Sequence, residues 1–370
     1  MASTAARPLS WIYAVLIVYA SLYPCEGWRD HGIAPWAYLT TPLPKYWTQF
    51  DVVSNVLGYA PLGFLVALAR LRLRLRLSAV AVAVVLAGLL SLGLETLQSF
   101  LPMRVPSNLD ALLNVLGALL GAVLARVLLA MGWLERWSRF RSQWFVPHSS
   151  GALALMATWP LALLFPAPVP FGLGQVLERL EDALAQWLLD TPWLEWLPLR
   201  EVELQPLLQI NEVLCIGLGV LLPVMLGYGV VRQMWQRVWC LASGLIVGAC
   251  ASALSSVLTY GPEHAWEWVT PEVHMGLGLA LVLGLLLLRV PARMALVLTL
   301  TFVVWQLGML NNASADVYFS QTVQTWEQGR FIRFHGLIQW LGWLWPYALL
   351  LYLLWSVGRS PHLDHASSGA

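Results

Sequence analysis

Between positions 91 and 114 an otherwise apolar stretch gathers side chains able to move protons or hold anions: Ser91, Glu95 and Gln98, then Arg104 and Ser107, then Asp110 and Asn114. The spacing puts Ser91, Glu95 and Gln98 on one stripe of a helix, and Asp110 and Asn114 on one stripe of the next, which Gly117 and Gly121 continue. Arg104 and Ser107 fall in the short turn between. Earlier in the chain Asp51 and Asn55 again pair an acid with an amide four residues on, at the start of another apolar run. Carboxylates in or at the edge of a membrane helix are costly and persist mainly where they pair or perform a function.

Two chemistries suit this set. Glu95 and Asp110 could serve as an acid and a base in proton transfer. Alternatively, Arg104 could hold a phosphate or carboxylate headgroup while the amides hydrogen-bond the sugar or peptide attached to it. An architectural role competes with both, because acids and amides also staple membrane helices together. Asp51 and Asp110 additionally suit helix N-termini, where a carboxylate is favoured.

The elements that must position these residues follow from composition. Of 370 residues, 59% are hydrophobic and only 11% are charged. A soluble domain carries about a quarter charged residues. The chain is therefore predicted to be an all-α, polytopic integral membrane helical bundle. A spanning helix needs about 20 mostly apolar residues. On that measure, runs at 11–23, 52–69, 79–100, 109–131, 151–165, 207–231, 238–258, 273–288, 295–310 and 337–357 predict about ten transmembrane helices. The 21 tryptophans cluster near the ends of these runs, as at Trp28, Trp36, Trp47, Trp187 and Trp266, in the manner of an interfacial aromatic belt. The net charge of +1 provides no field for nucleic acid. The four cysteines, Cys25, Cys215, Cys240 and Cys250, form no Cys-x-x-Cys pair and read as small hydrophobes.

Charge is sorted by loop. Arg7, Arg70 to Arg76, Arg136 to Arg141, Arg232, Arg237, Arg289, Arg293 and Arg359 fall on one side if both termini are cytoplasmic. The other side receives Glu263, Glu267, Glu272 and an acidic segment, 166–206, with Glu178, Glu181, Asp182, Asp190, Glu195, Glu201 and Glu203. Within that segment Val176, Leu177, Leu180, Leu184 and Trp187 recur at helical spacing, as in a helix lying on the membrane surface. Arg330 and Arg333 break the sorting. The predicted organisation is a four-helix membrane unit at 1–131, a basic cytoplasmic linker at 132–150, and a six-helix membrane extension at 151–370 that includes the external segment 166–206.

The motifs carry a resemblance. Asn55-x5-Pro61-Leu62-Gly63-Phe64, then Ser91-x3-Glu95-x2-Gln98, then Arg104-x2-Ser107-x2-Asp110-x3-Asn114-x2-Gly117 resemble the VanZ-like family of bacterial membrane proteins, over about residues 10–130. The resemblance implies a multi-pass protein of the bacterial cytoplasmic (inner) membrane and, for some members, a link to glycopeptide (teicoplanin) resistance. It implies no reaction. The expected function is recognition of a lipid-linked or amphiphilic envelope component at the outer leaflet. The expected site comprises Asp51, Asn55, Glu95, Gln98, Arg104, Ser107, Asp110 and Asn114. An intramembrane enzyme using Glu95 and Asp110 as acid and base stays open, as does a transporter of lipids or small molecules. Expected partners are membrane lipids or a lipid-linked envelope precursor, with an envelope protein docking through 166–206. No cofactor or metal is expected: there is no Ser-His-Asp arrangement, phosphate loop or His/Cys metal spacing, and His264 and His274 do not form His-Glu-x-x-His.

Overall fold

The computed structural model describes residues 6–23, 25–44, 46–73, 78–102, 104–147, 149–189, 191–193, 204–314, 322–323 and 335–358. Arg74, Arg76, Asp190, Glu195, Glu201, Glu203, Arg330, Arg333 and Arg359, used above to sort the loops, lie outside the described residues. The protein is an all-α polytopic membrane bundle. Among the described residues eight helices are long and apolar enough to cross a membrane, and two shorter apolar helices accompany them. The chain divides into two compact units, Met1–Phe140 and Arg141–Ala370.

The first unit contains α1 (Ala6–Leu22), α2 (Gln49–Arg72), α3 (Ala79–Gln98) and α4 (Asn108–Ala130). A reciprocal cap starts α2: Thr48 Oγ1 accepts the Asp51 N–H at 3.1 Å, and Asp51 Oδ2 accepts the Thr48 N–H at 3.1 Å. Glycine sets the distance between α2 and α4. A Cβ on Gly63 would lie 2.0 Å from Ala118 O, on Gly117 2.3 Å from Val56 O, and on Gly121 1.8 Å from Ala60 O. Only hydrogen fits at these three positions, so the two backbones touch, as small residues permit between membrane helices. Toward the far end Ala67 of α2, Ala79 and Ala83 of α3, and Ala122 and Ala125 of α4 pack as one buried cluster with Leu71.

The division between the units falls inside α5 (Trp133–Trp144). Residues 132–150, expected as a linker, thus contain a three-turn helix. Trp133 and Trp137 on it are exposed, and the Arg136 guanidinium lies 5.8 Å over the Trp133 ring.

The second unit holds α6 (Ser150–Ala162), α7 (Leu177–Leu188), α8 (Gln209–Val230), α9 (Met234–Tyr260), α10 (Pro271–Leu286), α11 (Ala292–Asn311) and α12 (His335–Gly358). Helix α8 is its axis: every residue from Cys215 to Val230 is buried. Its glycines admit neighbouring side chains; a Cβ on Gly229 would lie 2.4 Å from Leu296 Cδ2. Charge is sorted between the two ends of this unit. Arg237, at the start of α9, donates to Leu288 O, Val290 O and Tyr228 O, tying the end of α8 to the α10–α11 turn, where Arg289 lies close in sequence to Arg293 in the first turn of α11. At the opposite end Glu212, in the first turn of α8, feels the charge of Glu272 in the first turn of α10.

The first part of segment 166–206 packs closely. Residues 166–176 fold into the bundle without forming a helix, with Val169, Phe171 and Leu173 buried. The alternating Pro166, Pro168 and Pro170 lack the N–H groups a helix needs. Phe171 and Gly174 adopt positive φ of 62° and 93°. Buried irregular backbone must find hydrogen-bond partners, and three side chains supply them. Gln306 Nε2 donates to Phe171 O at 3.2 Å, and Tyr347 donates to Gly174 O at 3.1 Å. Asn311 Nδ2 donates to Gly174 O, while its Oδ1 accepts the Val176 and Leu177 N–H groups at 3.1 Å each, opening α7. The later part of the segment contains α7, the helix expected from its apolar spacing.

Candidate functional site

The antiparallel order of α1 to α4 brings the end of α1, the start of α2, the end of α3 and the start of α4 to one end of the first unit, and the polar residues meet there. Helices α2 and α4 open on the same pattern. Thr48, Asp51 and Asn55 are matched by Ser107, Asp110 and Asn114: a hydroxyl cap, an acid three residues on, and an amide four residues after that. Ser107 Oγ accepts the Asp110 N–H at 3.3 Å, as Thr48 Oγ1 accepts that of Asp51.

Beyond the caps the two helices use their polar groups differently. Asn55 Nδ2 reaches across from α2 to Asp110 Oδ1 at 2.9 Å. Asn114 Nδ2 instead turns to α3, donating to Ser91 Oγ at 2.9 Å. Asn114 Oδ1 is buried in a residue only 5% exposed and has no hydrogen-bond partner among the described residues. Asp51 Oδ2 also accepts from the Thr48 hydroxyl at 2.8 Å.

Glu95 is 4% exposed on α3, and its Oε2 accepts the Ser107 N–H at 2.8 Å. The carboxylate thereby spans the α3–α4 turn and satisfies a backbone donor at the start of α4. Gln98, one turn further along, donates through Nε2 to both Ser21 O and Ser21 Oγ at 3.0 Å. Arg104 also reaches α1: Nη2 donates to Tyr23 O at 2.9 Å and to Ala20 O at 3.5 Å, closing carbonyls that the end of α1 leaves open. Asn55, Glu95, Ser107, Asp110 and Asn114 thus join α2, α3 and α4, Gln98 and Arg104 tie the same end to α1, and Asp51 caps the start of α2.

Sequence spacing did not reveal the partners on α1. Ser21 and Tyr23 end an apolar helix, and no motif links them to Gln98 and Arg104, 77 and 81 residues away.

The fold and this polar end define a multi-pass α-helical membrane protein with buried ionisable groups at one end of a four-helix unit. Residues 10–129 match the family model described as VanZ/LLP1, so the first third of the chain is a VanZ-like domain. The matched stretch contains all eight site residues. No curated protein matches the chain, and no solved structure does.

Proposed function

We propose that the VanZ-like unit acts in the bacterial cytoplasmic membrane, recognising a lipid-linked or amphiphilic component of the cell envelope at the polar end of α1 to α4. Both termini face the cytoplasm in this reading, which sets the polar end in the outer leaflet. The observation that carries it is Glu95: a carboxylate 4% exposed on an apolar helix, held by the Ser107 N–H in a turn that also carries Arg104. Buried ionisable groups of this kind in membrane helices mark functional sites by default. Altered glycopeptide (teicoplanin) susceptibility is the expected cellular consequence.

Recognition is better supported than acid–base catalysis. Glu95 is committed to a backbone N–H and Asp110 to the Asn55 amide, so both carboxylates are positioned by the protein itself. The test is a deletion strain complemented with the full chain. Its teicoplanin susceptibility and its pool of lipid-linked envelope precursors are compared with the parent. A susceptibility change without a new accumulating precursor supports recognition. A precursor that accumulates on deletion and is processed on complementation identifies an enzyme instead. Unchanged susceptibility together with unchanged precursor pools removes both readings.

A further inference from the structure

The second unit contains a cavity of about 420 Å³ that lies apart from the VanZ-like domain and is built from unusual parts. One wall is the buried irregular loop, contributing Phe165, Pro166, Pro168, Pro170 and Phe171. Non-helical backbone inside a membrane bundle is tolerated where it is buried in protein or lines a polar cavity. Here Gln306, Asn311 and Tyr347 satisfy the loop from behind. The second wall is one face of α9, where Ser252, Ser255, Ser256 and Thr259 recur at helical spacing. The third comprises Glu212, at the start of α8, with Glu267 and Trp268 from the α9–α10 connection.

The charge on this cavity is one-sided. No Lys, Arg or His lines it among the described residues. Glu212 has no cationic partner among them, and the like charge of Glu272 acts on it. Glu267 is bonded at 2.7 Å to His264, which stands outside the lining. Trp268 is fixed in the wall twice over. Its Nε1–H donates to Ala265 O at 3.1 Å, and its ring packs edge-on against Phe171 with centroids 5.8 Å apart. Uncompensated carboxylate beside indole is the lining that favours a cation with an organic surface, because the ring face attracts positive charge while the carboxylate neutralises it. The hydroxyls of α9 accept hydrogen bonds from its N–H or hydroxyl groups.

We propose that this cavity binds an organic ammonium group, carried either by a lipid headgroup of the ethanolamine or choline type or by a soluble amine. A neutral polyol would satisfy the hydroxyls and stack on Trp268, but it would leave Glu212 without a counter-charge.

The experiment uses the full chain in nanodiscs of phosphatidylglycerol alone, with choline and ethanolamine titrated calorimetrically. Wild type should bind at least one of them. Glu212→Gln, which keeps shape and removes charge, and Trp268→Leu should each weaken binding about tenfold. Trp268→Phe, which keeps a ring face, should stay within about threefold of wild type, and Glu178→Gln on α7 should match it. Thermal melting confirms that each variant is folded. Admixing phosphatidylethanolamine then distinguishes the source: weaker apparent choline binding assigns the site to a lipid headgroup, and unchanged binding assigns it to a soluble amine. The proposal is overturned if the folded wild type binds neither amine and retains no phosphatidylethanolamine. It is equally overturned if Glu212→Gln binds like wild type, or if glucose binds in place of the amines.

Discussion

The two units solve the same problem, burying polar groups among apolar helices, in opposite ways. In the VanZ-like unit the polar groups stand at one end and link helices to each other: Asn55 to Asp110, Asn114 to Ser91, Gln98 to Ser21. Along the rest of the α2–α4 contact Gly63, Gly117 and Gly121 bring the backbones together. In the second unit a buried helix, α8, is the axis, and the buried amides Gln306 and Asn311 bond mainly to backbone, chiefly that of an irregular loop. Tightness in the first unit thus comes from absent side chains. In the second, order in the loop comes from specific ones. Placement of ionisable groups differs accordingly. The first unit buries Glu95, whereas in the second Glu212 and Glu267 line a cavity.

This contrast ranks the consequences of substitution. The largest effect is expected at Gly121, where a β-carbon would meet Ala60 O at 1.8 Å and neither backbone can yield. Gly121→Val should destabilise the chain by about 3 kcal/mol or more, measured by thermal melting in detergent. Gly93→Ala, with nothing within 4 Å of the added atom, should be neutral or slightly stabilising. Equal effects at the two glycines would remove close backbone packing as the basis of the first unit.

Next comes Asn311, 6% exposed, whose two ends serve Gly174 O, Val176 N and Leu177 N. Asn311→Leu leaves several backbone groups without partners and should cost about 2–3 kcal/mol. It should also raise proteolytic cleavage within 166–176, mapped by mass spectrometry. Cleavage unchanged from wild type would mean that the loop is held by packing alone. A smaller effect is expected for the interhelical pair. A double-mutant cycle of Asn55→Ala and Asp110→Ala should give a coupling of about 0.6 kcal/mol, and no more than about 1.7 kcal/mol, as for other hydrogen bonds between membrane helices. A coupling several times larger would make the polar end a main source of stability and would strengthen the architectural reading.

Much of this was legible in the sequence, for reasons particular to each element. Apolar runs mark spans directly, and the runs at 79–100 and 109–131 coincide closely with Ala79–Gln98 and Asn108–Ala130. The run at 52–69 starts a turn late, because the Thr48 cap and not hydrophobicity sets where Gln49–Arg72 begins. The stripes of Ser91, Glu95 and Gln98 and of Asp110 and Asn114 were legible, but that Glu95 meets Ser107 and Asn114 meets Ser91 was not, because spacing gives the face of a helix and not its partner. Contacts to α1 were not legible either, since nothing local orients that helix. The buried loop was hidden for the same reason: its carbonyls are satisfied by Gln306 and Tyr347, more than a hundred residues downstream. The helix in 132–150 was visible in Trp133, Trp137, Phe140 and Trp144, which share one face, but the arginines between them read as linker.

The central claim is that the charge on Glu95, and not merely its hydrogen bond, is what the VanZ-like unit needs. The most direct measurement compares Glu95→Gln with wild type in the complemented deletion strain, scoring membrane accumulation, melting temperature and teicoplanin susceptibility together. A glutamine keeps the shape and its carbonyl oxygen can still accept the Ser107 N–H. The account predicts accumulation and melting near those of wild type, with the susceptibility of the deletion strain. Wild-type susceptibility at wild-type accumulation would contradict it, leaving Glu95 as the tie across the α3–α4 turn and nothing more.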